Sequence, residues 1–210
     1  MYGRIVTRFT SKEVLELIFA WVSLSMAFSL SFGAKGLHTF AIALLITGSA
    51  FVLHELSHKF IAVRYGREAE FRVWWEGIAV ALFMAVLTYI FFGPSGVFFF
   101  AAPGAVYVAP LVSSWRFAEA RLINLKVEGM ISVAGPLNNF VMCVLFEALS
   151  RANLFDLSYV FKDVVFINVY LGLFNMLPVG PLDGRKVLAW SRLVWGVVFS
   201  AFLALYVLLG

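Results

Sequence analysis

Glutamine is absent from this chain of 210 residues, cysteine occurs once, and charged residues make up only 13%. A single cysteine, Cys143, excludes a disulfide framework, and its place in an apolar run reads as a small buried hydrophobe. Soluble domains carry about 25% charged residues, so this composition argues against an ordinary soluble fold. The missing glutamine matches the avoidance of thermolabile residues in hyperthermophile proteins. Sixteen basic residues leave a net charge of +4, but they are scattered over short loops. That pattern reports membrane topology and does not point to nucleic acid. The N-terminal Arg4, Arg8 and Lys12 precede an apolar stretch without a small-residue cleavage site, so no signal peptide is expected.

What the chain does have is apolar: 62% of its residues are hydrophobic. The runs predict an all-α polytopic membrane protein of about six transmembrane helices, forming a single integral membrane domain over 1–210. A core is expected over about 38–67, 129–149 and 159–187, with peripheral spans at 14–32, 77–112 and 193–209. The second run, His38 to Tyr65, would cover about 42 Å at 1.5 Å per residue and so protrudes from the bilayer. Within 77–112, Gly93-Pro94-Ser95-Gly96 interrupts the run, and Val97–Val108 is rich in strand formers. It reads either as a short membrane-associated β-hairpin or as a kinked helix. Backbone of the first kind is tolerated at membrane depth only under cover of protein or water. If 77–112 returns to the side it leaves, thirteen basic residues fall on the N-terminal side and only Lys35, Arg151 and Lys162 opposite. This bias places the N-terminus in the cytosol of a multi-pass cell-membrane protein.

Inside the second run lies His54-Glu55-Leu56-Ser57-His58, an HExxH motif. Residues i and i+4 share a helix face, so both imidazoles reach one metal ion. Glu55 is then placed as general base for a metal-activated water. His58 is nine residues, about 13 Å of helix, from Arg67, which sets the metal below the cytosolic surface. A catalytic zinc usually takes three protein ligands. His38 lies about 24 Å from His54 along the helix, too far to help. Glu147 sits near the outer end of its span and reads as an interface carboxylate.

Asp183 is the better third ligand. It follows Pro178 and Pro181, which forbid a regular helix and let a carboxylate turn inward near the depth of His54 and His58. Its alternative is a cap on the last span. Asn175 can hold the scissile carbonyl or oxyanion, or else cap a frayed helix end. In Gly135-Pro136-Leu137-Asn138-Asn139 the glycine permits close helix approach, and Asn138 or Asn139 bonds across to the metal helix as a packing contact first.

Taken together, these segments resemble the site-2 protease family of intramembrane zinc metalloproteases. The resemblance rests on His54, Glu55 and His58; on Ala134-Gly135-Pro136-Leu137 with the following Asn; and on Asn175, Pro178, Pro181, Leu182, Asp183 and Gly184. It implies a three-helix catalytic core and one zinc ion per chain, held by His54, His58 and Asp183 with Glu55 as base. It also implies cleavage of single-pass membrane proteins in or near the bilayer. The family's LDGG reads Leu182-Asp183-Gly184-Arg185 here, which alters the loop and spares the ligand. The run from Gly77 to Phe92 lies outside the minimal core. No PDZ-like or CBS-like module is expected, so substrate selection rests on the membrane domain.

The expected function is hydrolysis of peptide bonds within membrane segments, by a zinc-activated water with Glu55 as general base. An extended substrate would add as a strand to the Val97–Val108 element. Two alternatives stand beside it: a metal transporter or sensor using the same ligands, and a catalytically inactive binder of membrane helices. The expected partners are single-pass membrane proteins and the lipid bilayer, with no nucleic acid.

Overall fold

The computed structural model describes residues 9–33, 36–96, 104–108, 118–153 and 157–209. Helix α1 (Ser11–Ser29) opens on Thr10, whose hydroxyl accepts the Glu13 N–H. Helices α2 (Leu37–Thr47) and α3 (Leu53–Arg64) run into each other through one π-helical turn, Gly48–Val52. Strand β1 (Ala69–Val73), helix α4 (Trp75–Phe92) and strand β2 (Gly104–Val108) follow. The remainder is α5 (Ala118–Arg151), α6 (Ser158–Asn175), α7 (Asp183–Trp190) and α8 (Arg192–Leu209).

This is the all-α polytopic architecture expected from the apolar runs. Among the described residues, five helical segments are long and apolar enough to cross a membrane: Ser11–Phe32, Leu37–Arg64, Trp75–Phe92, Ile123–Arg151 and Arg192–Leu209. Helix α6 has the length but carries Lys162, Asp163, Asn168 and Asn175. It lies against α5, with Val164, Ile167 and Leu171 buried. A polar helix of this kind needs protein neighbours to satisfy its amides, and α6 has them. The basic residues Arg4, Arg8, Lys35 and Arg116 lie outside the described residues.

Of the stretch Val97–Val108 only 104–108 belong to the described residues, so the hairpin expected there lies outside them. The strand is there, as β2, but its partner is β1, on the other side of α4. The two are antiparallel, with Phe71 opposite Val106 and Val73 opposite Gly104. Residues 97–103 and 109–112 lie outside the described residues. The pairing carries a plain topological consequence. Val73 lies two residues before α4, so Gly104 returns the chain to the end from which α4 departs.

Two carboxylates of α1 close the far edge of this small sheet. Phe71 N–H donates to Glu13 Oε1 at 3.0 Å and Val73 N–H to Glu16 Oε2 at 2.9 Å. Glu13 also holds the Lys59 ammonium of α3, and both side chains are buried. One acidic residue thus ties α1, α3 and β1 together. Around it, Leu24, Phe28, Ile46, Phe51, Phe71 and Ile167 pack into one core cluster. A second joins Val133, Met176, Val187 and Phe202.

Candidate metal centre

The i,i+4 spacing of His54 and His58 on α3 sets the imidazoles edge to face, with Nε2 atoms 2.9 Å apart. Each ring is fixed from behind. His54 Nδ1 lies 2.5 Å from Asn139 Oδ1, and His58 Nδ1 lies 2.8 Å from the Ile131 carbonyl oxygen. Carbonyl oxygens only accept, so each Nδ1 carries the proton and each Nε2 is left with a bare lone pair.

Helix α5, continuous through Pro136, supplies both supports. The Ile131 carbonyl accepts from His58, and Pro136 has no N–H for the Ser132 carbonyl beside it. One residue earlier, Gly135 has no side chain to intrude. A Cβ there would lie 2.5 Å from Nε2 of both His54 and His58.

Asp183 arrives from the opposite side. Pro178 and Pro181 keep the segment after α6 non-helical, and Gly180 takes a left-handed φ of 55°. The chain then folds so tightly that a Cβ on Gly184 would lie 2.1 Å from the Met176 carbonyl oxygen. Asp183 therefore opens α7 buried, with Oδ2 3.2 Å from His54 Nε2 and 3.0 Å from His58 Nε2. Arg185 is exposed and donates to the Gly180 carbonyl at 3.4 Å, away from the ligand.

Glu55 stands beside this triangle. It offers an oxygen within 4.8 Å of ligand atoms of both histidines, and its Oε2 accepts the Val106 N–H of β2 at 3.1 Å. A cavity of about 420 Å³ opens in front, lined by Glu55, the residues of β2, Ser132, Asn175 and Lys186. Asn175 donates one amide hydrogen to the Leu171 carbonyl at 3.1 Å and faces the cavity. Glu147, set aside earlier, pairs with Arg151 at 2.7 Å. The structure thus brings His54, His58, Asp183, Glu55 and Asn175 to one cavity, and of the two candidate asparagines Asn139 is the one that bonds to the metal helix. Sequence reasoning missed Val106, whose contribution is a backbone N–H and leaves no trace in residue type. It also missed Asn168, an amide in an apolar run about two helical turns before Asn175.

A protein of Methanocaldococcus jannaschii named "Putative zinc metalloprotease MJ0611" is 33% identical to this chain over 203 residues, covering 92% of each. The chain belongs to this zinc metalloprotease family. A Bacillus subtilis protein named "Putative zinc metalloprotease YwhC" is 26% identical over 151 residues, 66% of this chain and 64% of that one. No family model matches the chain, and no solved structure matches it significantly.

Zinc is the cofactor of this metalloprotease family, and the donor set suits it. Two bare imidazole nitrogens and one carboxylate oxygen meet at 2.9 to 3.2 Å with no hydrogen to share. Three acceptors at that distance repel unless a cation lies among them. Tetrahedral ligands at about 2.0–2.1 Å from zinc lie about 3.3–3.4 Å from one another, close to this spacing. The space that a Gly135 side chain would fill is the same space that the lone pairs face.

Proposed function

We propose that this zinc metalloprotease is an intramembrane enzyme of the site-2 protease kind, cleaving peptide bonds within or near the spans of single-pass membrane proteins. The observation that carries this reading is the seat of the donor triangle. His54 and His58 are buried in a 28-residue segment apolar enough to cross a membrane, facing a second such segment that holds Gly135 and Asn139. The excess of basic residues on one side of the spans supports a multi-pass cell-membrane protein, with its N-terminus and the cavity mouth cytosolic.

In this proposal His54, His58 and Asp183 hold one zinc ion per chain. When bound, zinc supplies Lewis-acid polarisation of the scissile carbonyl and acidifies the attacking water. Glu55 accepts that water's proton and delivers it to the leaving amine. The Val106 N–H holds the carboxylate toward the cavity. Asn175 has a second amide hydrogen for the developing oxyanion. Peptide hydrolysis requires an extended backbone, whereas a membrane helix hides its carbonyls. The outer edge of β2 supports the substrate's unwinding. Gly104, Val106 and Val108 alternate along that edge, line the cavity and face away from β1, and of their N–H groups that of Val106 is held by Glu55. A substrate strand adds there.

The test compares wild type with Glu55→Gln in liposomes, measuring bound zinc and the cleavage of a panel of single-span peptides by mass spectrometry. Both should bind zinc, and only wild type should cut, inside or beside the spans. Equal cutting by both proteins, or cuts confined to soluble tails, would refute the proposal.

A further inference from the structure

Asn168 is fully buried in the middle of α6, is neither in the donor triangle nor among the residues lining the cavity, and has no part in the chemistry above. Its bonds nevertheless lead to His54. Asn168 Nδ2 donates to the Val164 carbonyl at 2.8 Å and lies 3.3 Å from Ser49 Oγ. Its Oδ1 accepts from Asn139 Nδ2 at 2.9 Å. Asn139 Nδ2 also donates to the Ala50 carbonyl at 2.9 Å, and Asn139 Oδ1 faces His54 Nδ1. Ser49 closes the chain by donating to the Ile46 carbonyl at 2.7 Å.

The sense of every bond in this chain is fixed by its ends. Val164 and Ala50 offer carbonyl oxygens, which only accept, so each must face an amide nitrogen. That turns the Asn168 oxygen toward Asn139, and the Asn139 oxygen toward His54. A flipped Asn139 would set its oxygen against the Ala50 carbonyl and against Asn168 Oδ1, and its NH2 against the His54 N–H. Three repulsive contacts would replace three hydrogen bonds. The Ala50 carbonyl and Ser49 both belong to the π-helical turn just before His54. In such a turn the bonding steps from i−4 to i−5, and displaced carbonyls become available to side chains. The irregular turn, which the metal ligands themselves do not require, serves this chain of amides.

We propose that Asn168 is a positioning residue for the metal centre. Through Asn139 it fixes the His54 ring with Nδ1 protonated, so that Nε2 faces the ion. The inference rests on His54 being a zinc ligand.

The test is zinc affinity, measured by chelator competition on the whole purified chain in detergent. Asn168→Leu removes the acceptor. Asn168→Ser preserves the local bond to Val164 through its hydroxyl, but is too short to reach Asn139. Val169→Ala, a buried neighbour pointing into the Cys143 cluster, loosens α6 without touching the amides. Outer contacts to metal-bound histidines are worth about 10–100-fold in affinity. Zinc binding should weaken by at least about tenfold in the Leu and Ser variants and stay near wild type in Val169→Ala. The visible spectrum of the cobalt-substituted protein should change in the Leu and Ser variants alone. Should Leu fail to fold, Ser decides. Unchanged zinc affinity in the Ser variant would overturn the proposal, as would an equal loss in Val169→Ala. A wild type that binds no zinc would remove the ligand assignment itself, a different failure from zinc bound equally by wild type and Ser.

Discussion

Replacing Gly135 with alanine should separate the metal centre from the fold. The added methyl would stand 2.5 Å from Nε2 of both histidines, about 1 Å inside ordinary van der Waals contact. The rings are the softer party, because α5 is held along its length by α3, α6 and α7. They must swing away, and in doing so they break the His54–Asn139 and His58–Ile131 bonds. Each such support is worth about 10–100-fold in metal affinity, so losing both costs about 10²–10⁴-fold. At about 1.4 kcal/mol per tenfold, that is about 3–6 kcal/mol of zinc binding. The apoprotein suffers far less. Two hydrogen bonds lost cost about 2 kcal/mol, and alanine in place of glycine inside a helix restores about 1 kcal/mol. The assay pairs zinc competition in detergent with thermal unfolding of the metal-free protein. Zinc affinity within about threefold of wild type would refute the reasoning, since the methyl would then have found room that the structure denies it. A collapse of the apoprotein with the remaining zinc affinity intact would show that α5 yields and the imidazoles do not.

Further outcomes follow from the contacts around the site. Val106→Pro removes the N–H that Glu55 accepts, and costs the β1 ladder nothing because that N–H points away from β1. Turnover should fall while zinc affinity holds; unchanged turnover would mean the strand does not position the base. Lys59→Met leaves the Glu13 carboxylate buried without its cation and should destabilise the protein by about 3–5 kcal/mol, whereas Glu13→Leu with Lys59→Met should recover most of the loss. Equal stability of the single and double variants in thermal unfolding would contradict that account.

Much of the site was readable because its rules are local. An i,i+4 pair of histidines shares a face in any helix, so HExxH in an apolar run announces paired imidazoles whatever surrounds it. Two prolines forbid a helix, so the segment before Asp183 had to be irregular. The apolar runs likewise fixed the helical class, since a bilayer tolerates few other ways of satisfying a backbone. The β element was only half legible. Val97–Val108 showed strand character, but its partner lies on the far side of an 18-residue helix, and strand pairing at that separation has no sequence signature of its own.

What the sequence alone determined is thus the inventory: two imidazoles on one face, a carboxylate released by proline, and spans enough to carry them. Convergence was decided by packing. Asp183 and His54 are 129 residues apart and meet only because α5 and the turn before α7 close on α3. Whether Gly135 is a spacer or an open coordination space, and whether Asn139 and Asn168 are packing amides or an orienting chain, depends on atoms a few ångströms away on other helices. Residue type specifies which bonds a side chain is able to make. Only the folded chain specifies which partner stands opposite it, and therefore which nitrogen of His54 is left bare.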